Sequence, residues 1–157
     1  MAQKRNAART CIAQAELLLA LREMDAAKLK SRARAYKGHR YLEIPLPRTW
    51  PEAKSFCEKL GGHLATFADQ AALYVPSLRW NAWIGLHQGF SGADGHAGEA
   101  RWVTGEPLTF SAQESAPPEG RKGFFLLCKG WPSANRCWQF EPEETNSKQW
   151  FIIEWDD

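Results

Sequence analysis

Residues 50–67 read WPEAKSFCEKLGGHLATF, and their spacing sets the architecture of everything around them. With Thr49 in front, Glu52 three positions on completes a capping box, in which the hydroxyl takes a free helix N–H and the carboxylate reaches back. Ala53, Phe56, Cys57 and Leu60 follow at i, i+3, i+4 and i+7, which predicts a helix with one buried face. Gly61-Gly62 supplies the left-handed exit that ends it. HLATF then reads as a strand.

Upstream, YLEI (41–44) is strand-like and ends at PLPR, because Pro45 and Pro47 cannot donate to a ladder. Residues 7 to about 35 contain no proline or glycine and are rich in strong helix formers, which predicts one long helix. Cys11, Ala15 and Leu18 share a stripe beside Leu17, Leu21 and Met24. That apolar face must dock on the main body, pair with another chain or continue something upstream. Downstream, Asp69 can cap a second short helix, DQAALYV, which Pro76 terminates. AWIGL, EARWVT, FFLLC and QWFIIEW read as strands parted by glycine- and proline-rich loops. The fold class is α+β, with loops long enough to carry function.

A hydrophobic content of 44% and eight tryptophans argue for a packed core. Residues 1–40 carry ten Lys/Arg against three Asp/Glu, while residues 41–157 carry ten against fifteen. The basic front section is read as a solvated helix face rather than a nucleic-acid arm, since no aromatic residue interleaves the charges before Tyr36. IAQAELLLAL contains Glu16 and leads into Arg22, Glu23 and Asp25, so it predicts no secretory signal. No run approaches the roughly 18–20 apolar residues of a membrane span.

In this order, WPEAKSFCEKLGGHLATF, AWIGL, EARWVTGEPLTF and QWFIIEW resemble the C-type lectin-like domain over residues 38–155. The resemblance implies a lectin-like fold of two helices, short antiparallel strands and a long loop region, occupying 38–157. An amphipathic basic helix or stem at 1–37 precedes it. Trp83, Ile84 and Leu86 would form the apolar centre, with Gly85 allowing backbone to approach closely.

In lectins of this family, calcium is held by a Glu-Pro-Asn or Gln-Pro-Asp tripeptide, a further Glu, and an Asn-Asp pair after a tryptophan. The ion needs six to eight oxygens at about 2.3–2.6 Å. Matched by its flanks, the tripeptide falls on Pro117-Pro118-Glu119. Pro118 keeps the turn-forming proline, but Pro117 brings no side-chain oxygen. The later pair falls on Gln139 and Phe140 after Trp138, and Phe140 removes a carboxylate. Arg121 and Lys122 place positive charge between them. The expectation is a scaffold without the usual calcium site and with no cofactor. Glu141, Glu143 and Glu144 form the nearest acidic cluster, read as a solvated loop in preference to a weak cation site.

The resemblance also implies two disulfides in extracellular members. Cys57 matches a helix cysteine, but Ile153 stands where its partner belongs, and Glu-Pro-Glu follows Trp138 where the other pair has a cysteine. A secreted domain seldom discards both bridges, so the expectation is a cytosolic, disulfide-free bacterial member. Cys128 and Cys137 lack the spacing of a zinc knuckle, and His87 and His96 merely flank a glycine-rich turn. Cys57 reads as a small core residue. Cys11 could meet its twin across a dimer.

No nucleophile elbow, P-loop or metalloprotease motif occurs, and the chain is read as non-enzymatic. WPSANRCWQF mixes aromatic and guanidinium groups of the kind that anchor interfaces. The candidate ligand-binding residues are Trp131, Arg136, Trp138, Gln139, Phe140, Pro118 and Glu119, with Trp138 also suited to filling the core beneath the loops. The expected function is calcium-independent protein–protein interaction. The alternative is calcium-independent carbohydrate binding through Trp131, Glu119 and Gln139, and a minor one is variable ligand display in a diversity-generating system. The front helix would mediate homo-oligomerisation or attachment to a larger assembly.

Overall fold

The computed structural model describes residues 2–89, 99–106, 108–113, 121–128 and 135–157. Two helices open the chain, α1 (Ala2–Arg22) and α2 (Ala26–Arg32). The single long helix expected there breaks at Met24, whose φ of 52° is left-handed. Asp25 restarts it by accepting a hydrogen bond from the Lys28 N–H at 3.0 Å. The stripe also divides: Ala20 and Leu21 are buried, whereas Ile12, Leu18, Leu19 and Met24 face outward.

Then come β1 (Arg34–Tyr36), β2 (His39–Arg48), α3 (Trp50–Lys59), β3 (His63–Leu64), β4 (Ala82–Gln88), β5 (Ala100–Trp102), β6 (Gly123–Cys128), β7 (Cys137–Pro142) and β8 (Gln149–Asp156). Two short 3-10 turns, Ala72–Tyr74 and Glu143–Thr145, interrupt the strands. In α3 the Thr49 N–H donates to Glu52 Oε2 at 2.9 Å, as the capping box requires. Gly61, at φ 72°, makes the left-handed exit. DQAALYV condenses to the first 3-10 turn, with Asp69 accepting from the Ala72 N–H at 2.9 Å.

The sheet runs β1-β2-β8-β4-β6-β7, with β3 joined to β8 and β5 to β4. All pairings are antiparallel except β4 with β8. β2 outlasts Pro45 and Pro47 because its register with β8 shifts between Ile44 and Arg48, which removes the prolines from regular ladder positions.

Strand alternation sends residues to two apolar layers. Trp83, Phe124, Leu126, Phe151 and Ile153 meet the helices on one side. Tyr41, Phe67, Ile84, Phe125, Trp102 and Trp138 fill the other. Indole N–H groups lock the first layer to backbone: Trp50 to Ile84 O at 2.8 Å, Trp83 to Arg48 O at 2.9 Å and Trp155 to Leu60 O at 3.0 Å. Gly85 sits where a Cβ would fall 2.6 Å from Leu64 O and 2.8 Å from a Val103 methyl, so only glycine lets β4 pass. Among the described residues, no helix is long and apolar enough to cross a membrane.

Candidate functional site

β7, a strand where a loop is expected, carries three of the seven candidate residues, Trp138, Gln139 and Phe140. Its alternation buries Trp138, at 1% exposure, against Trp102 and Phe110, each ring centroid 5.6 Å away and edge-on. The indole supports the loop face from beneath and offers it no surface. Phe140 turns toward the same layer, edge-on to Phe125 at 5.5 Å. Gln139 lies opposite Leu126 and is half-buried. Trp131, Pro118 and Glu119 lie outside the described residues, as does His96.

Arg136, just before β7, is a staple as well as a surface group. Its Nη1 donates to Leu73 O at 2.6 Å and to Pro76 O at 2.8 Å. Its backbone N–H donates to the Tyr74 hydroxyl at 3.1 Å, and its guanidinium carbon lies 5.3 Å from the Tyr74 ring centroid, within cation–π range. Burial lowers its pKa from the ordinary value, partly offset by Tyr74 and Glu43. Tyr74 is 45% exposed and Trp80, on the segment that follows, is 67% exposed. Arg79 is fixed there by its N–H donating to Glu43 Oε2 at 2.8 Å. Beside it, a cleft of ≈ 280 Å³ opens between α1 and β2, lined by Leu17, Arg32, Arg34, Leu42, Arg79 and Trp150. Tyr74, Arg79 and Trp80 escaped the sequence reading. The available signal was an aromatic at each end of YVPSLRW, a stretch interrupted by Pro76.

Two of the three acids near β7 are engaged, while Glu143 is exposed in the second 3-10 turn. Glu141 Oε1 accepts from the Thr145 hydroxyl at 2.9 Å, and Glu144 is ion-paired with Arg121. The described residues that converge with metal-ligand chemistry are His39, Glu154 and Asp156, at the ends of β2 and β8.

Residues 46–150 match the Lectin C-type domain. Lithostathine of Bos taurus is 32% identical over 107 residues, covering 61% of this chain and 61% of its own. The chain thus spans about three-fifths of that relative. Lithostathine-2 of Mus musculus is 31% identical over 141 residues, covering 83% of this chain and 79% of its own. Among solved structures, the SPL-1–GlcNAc complex superposes with a TM-score of 0.64 at 23% identity, over 81% of this chain and 94% of that one, a likeness of fold. These relatives are non-enzymatic binding proteins. They contradict the cytosolic expectation and give the bacterial one no support: the lithostathines and their kin are secreted animal proteins.

Proposed function

The chain belongs to the C-type lectin family, and from that premise we propose that it is a non-catalytic module that binds a protein ligand without calcium. The observation that carries calcium independence is Phe140. Where an oxygen ligand is expected after Trp138, a phenyl ring packs on Phe125, and the neighbouring carboxylates of Glu141 and Glu144 are bound to Thr145 and Arg121. Too few oxygens remain to replace the ion's hydration shell. The ligand surface is the one where Arg136 meets Tyr74 and continues to Trp80. Arg, Tyr and Trp are the side chains that most often dominate protein interfaces, and Arg136 is already held by two carbonyls, so little order is lost on binding.

Titration calorimetry with Ca²⁺ is expected to show no stoichiometric uptake; micromolar binding at one site per chain would overturn calcium independence. A second reading, glycan recognition, is favoured by the GlcNAc held in the SPL-1 complex and by the exposed aromatic faces of Tyr74 and Trp80. A glycan array run with and without EDTA separates the two. Saturable binding of any sugar, unchanged by EDTA and lost in Tyr74→Ala, would replace the protein reading with the glycan one.

Segment 1–37 would serve as the stem of this module, with β1 stitching its end onto β2. Ile12, Leu18 and Leu19 on the outward side of α1 would supply a self-association face. Light scattering over a concentration series is expected to show mass growing beyond 17.8 kDa; a constant monomer mass would remove the idea.

A further inference from the structure

Cys128 ends β6 and Cys137 begins β7, and the antiparallel register sets them directly opposite each other. Both belong to the apolar layer that contains Trp50 and Trp83, so their side chains leave the sheet on the same face. The class of the pair follows from the ladder. The Trp138 N–H donates away from β6, to Ala112 O at 3.0 Å. Leu127 and Trp138 therefore form a non-hydrogen-bonded pair, and the next pair out, Cys128 with Cys137, is of the hydrogen-bonded class. Such pairs hold their Cα atoms about 5.5 Å apart, inside the roughly 4.4–6.8 Å that a disulfide spans, while their Cβ atoms, also about 5.5 Å apart, must close by about 1 Å for the bond to form; in the structure both are free thiols. Cys57 lies in α3 and Cys11 is exposed on α1, so neither competes for this register.

We propose that Cys128 and Cys137 form a cross-strand disulfide that closes the outer end of the β6–β7 hairpin. The oxidant is a small-molecule disulfide. The Cys137 thiolate, the less buried of the two at 9% against 4%, attacks one sulfur of that disulfide and releases one thiolate. Cys128, deprotonated in turn, then displaces the second thiolate from the mixed disulfide. Two thiols are oxidised, the reagent's S–S bond is reduced to two thiols, and the protons end on the released thiolates. The bridge would fix the strand end next to Arg136. It differs from both pairings that the family resemblance implies, each of which has lost at least one cysteine here. Secreted relatives occupy a compartment where such pairs oxidise and persist.

The test uses the whole chain, incubated with excess oxidised glutathione, denatured, alkylated and mapped by mass spectrometry. The expected product is lighter than the reduced chain by two hydrogens before alkylation. Its map holds one cross-linked peptide pair joining Cys128 to Cys137, with Cys57 alkylated. Alkylation of both Cys128 and Cys137, their recovery as glutathione adducts, or linkage of either to Cys57 would each overturn the proposal. The thermal midpoint of the wild type should also rise on oxidation, with no such rise in Cys137→Ser. An equal rise in that variant would assign the effect elsewhere and sink the proposal.

Discussion

Replacing Glu154 with alanine is expected to lower the unfolding free energy by about 1–3 kcal/mol, the cost of leaving a buried hydrogen-bond donor without its acceptor. Glu154 lies on β8 with 0% exposure. Its Oε2 accepts the Thr66 N–H at 2.6 Å and the Thr66 hydroxyl at 3.0 Å. Its Oε1 sits 2.7 Å from His39 Nδ1, which is also 2.8 Å from Asp156 Oδ1. His63 completes the group, with Nε2 3.2 Å from Asp156 Oδ2. Alanine would strand the Thr66 N–H in an apolar layer and leave His39 with one acid instead of two. Urea denaturation at neutral pH measures the loss; a change below about 1 kcal/mol would mean that water replaces the carboxylate at no cost.

The same cluster sets a pH signature. Burial alone would lower His39, but the Asp156 hydrogen bond and the Glu154 charge outweigh it and raise its pKa above the ordinary 6.5. A raised histidine contributes stability fully present below about 6.5 and lost as pH climbs through the folded value. Burial raises the Glu154 carboxyl against the pull of the Thr66 N–H, so its ionisation also costs stability as pH rises from 4.5. Asp156 acts at the other end: burial would raise it, yet hydrogen bonds from His39 and His63 lower it below 3.8, and its contribution is lost only as pH falls through that lowered value. His87 opposes His39. Burial, with Lys54 and Arg101, depresses it, so it costs stability as pH falls below 6.5. That term is common to wild type and variant and cancels in their difference. The gap in thermal midpoint between wild type and Glu154→Ala should therefore be wider at pH about 6 than at pH about 8.

The elements that announced themselves in the sequence are those whose pattern and environment agree. α3 carries a cap, a stripe and a glycine exit, and each is realised. AWIGL, FFLLC and QWFIIEW are dense apolar runs because both faces of the sheet are covered. The break at Met24 was hidden because the left-handed residue is a methionine and the one local mark is the capping Asp25 beside it; docking of Ala20, Leu21 and Leu29 into one layer decides the bend. β7 was missed because CWQFEP mixes polar residues with a proline, as suits an edge strand with one face half-exposed. Glu154 was hidden by its own context, one acid in a run of large apolar residues whose role depends on Thr66 and His39, distant in sequence. At the binding surface, Arg136 was legible by residue type. Tyr74 and Trp80 were not, since only the tertiary fold decides that these aromatics stay outside while Trp83 and Trp138 fill the core.

Trp138→Ala is expected to cost about 3–5 kcal/mol, the range for emptying a large aromatic from a packed layer, and its consequences should be concentrated near the ligand surface. Trp138 is where three separate stretches meet. Its ring touches Trp102 of β5 and Phe110, and its backbone N–H holds Ala112, with Gln113 bridged beside it. Without the indole, residues 108–113 lose their main attachment to β7, whereas α3 and the layer around Trp83 keep theirs. Hydrogen exchange should therefore accelerate at Trp138 and its neighbours on β7 well beyond the amides of β2 and β8, which pair on the far side of β4. Trp138→Phe separates ring from cavity. It keeps most of the apolar contact, and among the described residues no acceptor meets the buried indole Nε1–H, so its loss should stay below about 1.5 kcal/mol. If alanine and phenylalanine destabilised the protein equally, the indole N–H would be the anchor instead of the ring. If alanine accelerated exchange only through global opening and left local exchange at β7 unchanged, residues 108–113 would be held by something other than this tryptophan, and Arg136 would owe its position to Tyr74 and the Leu73 and Pro76 carbonyls.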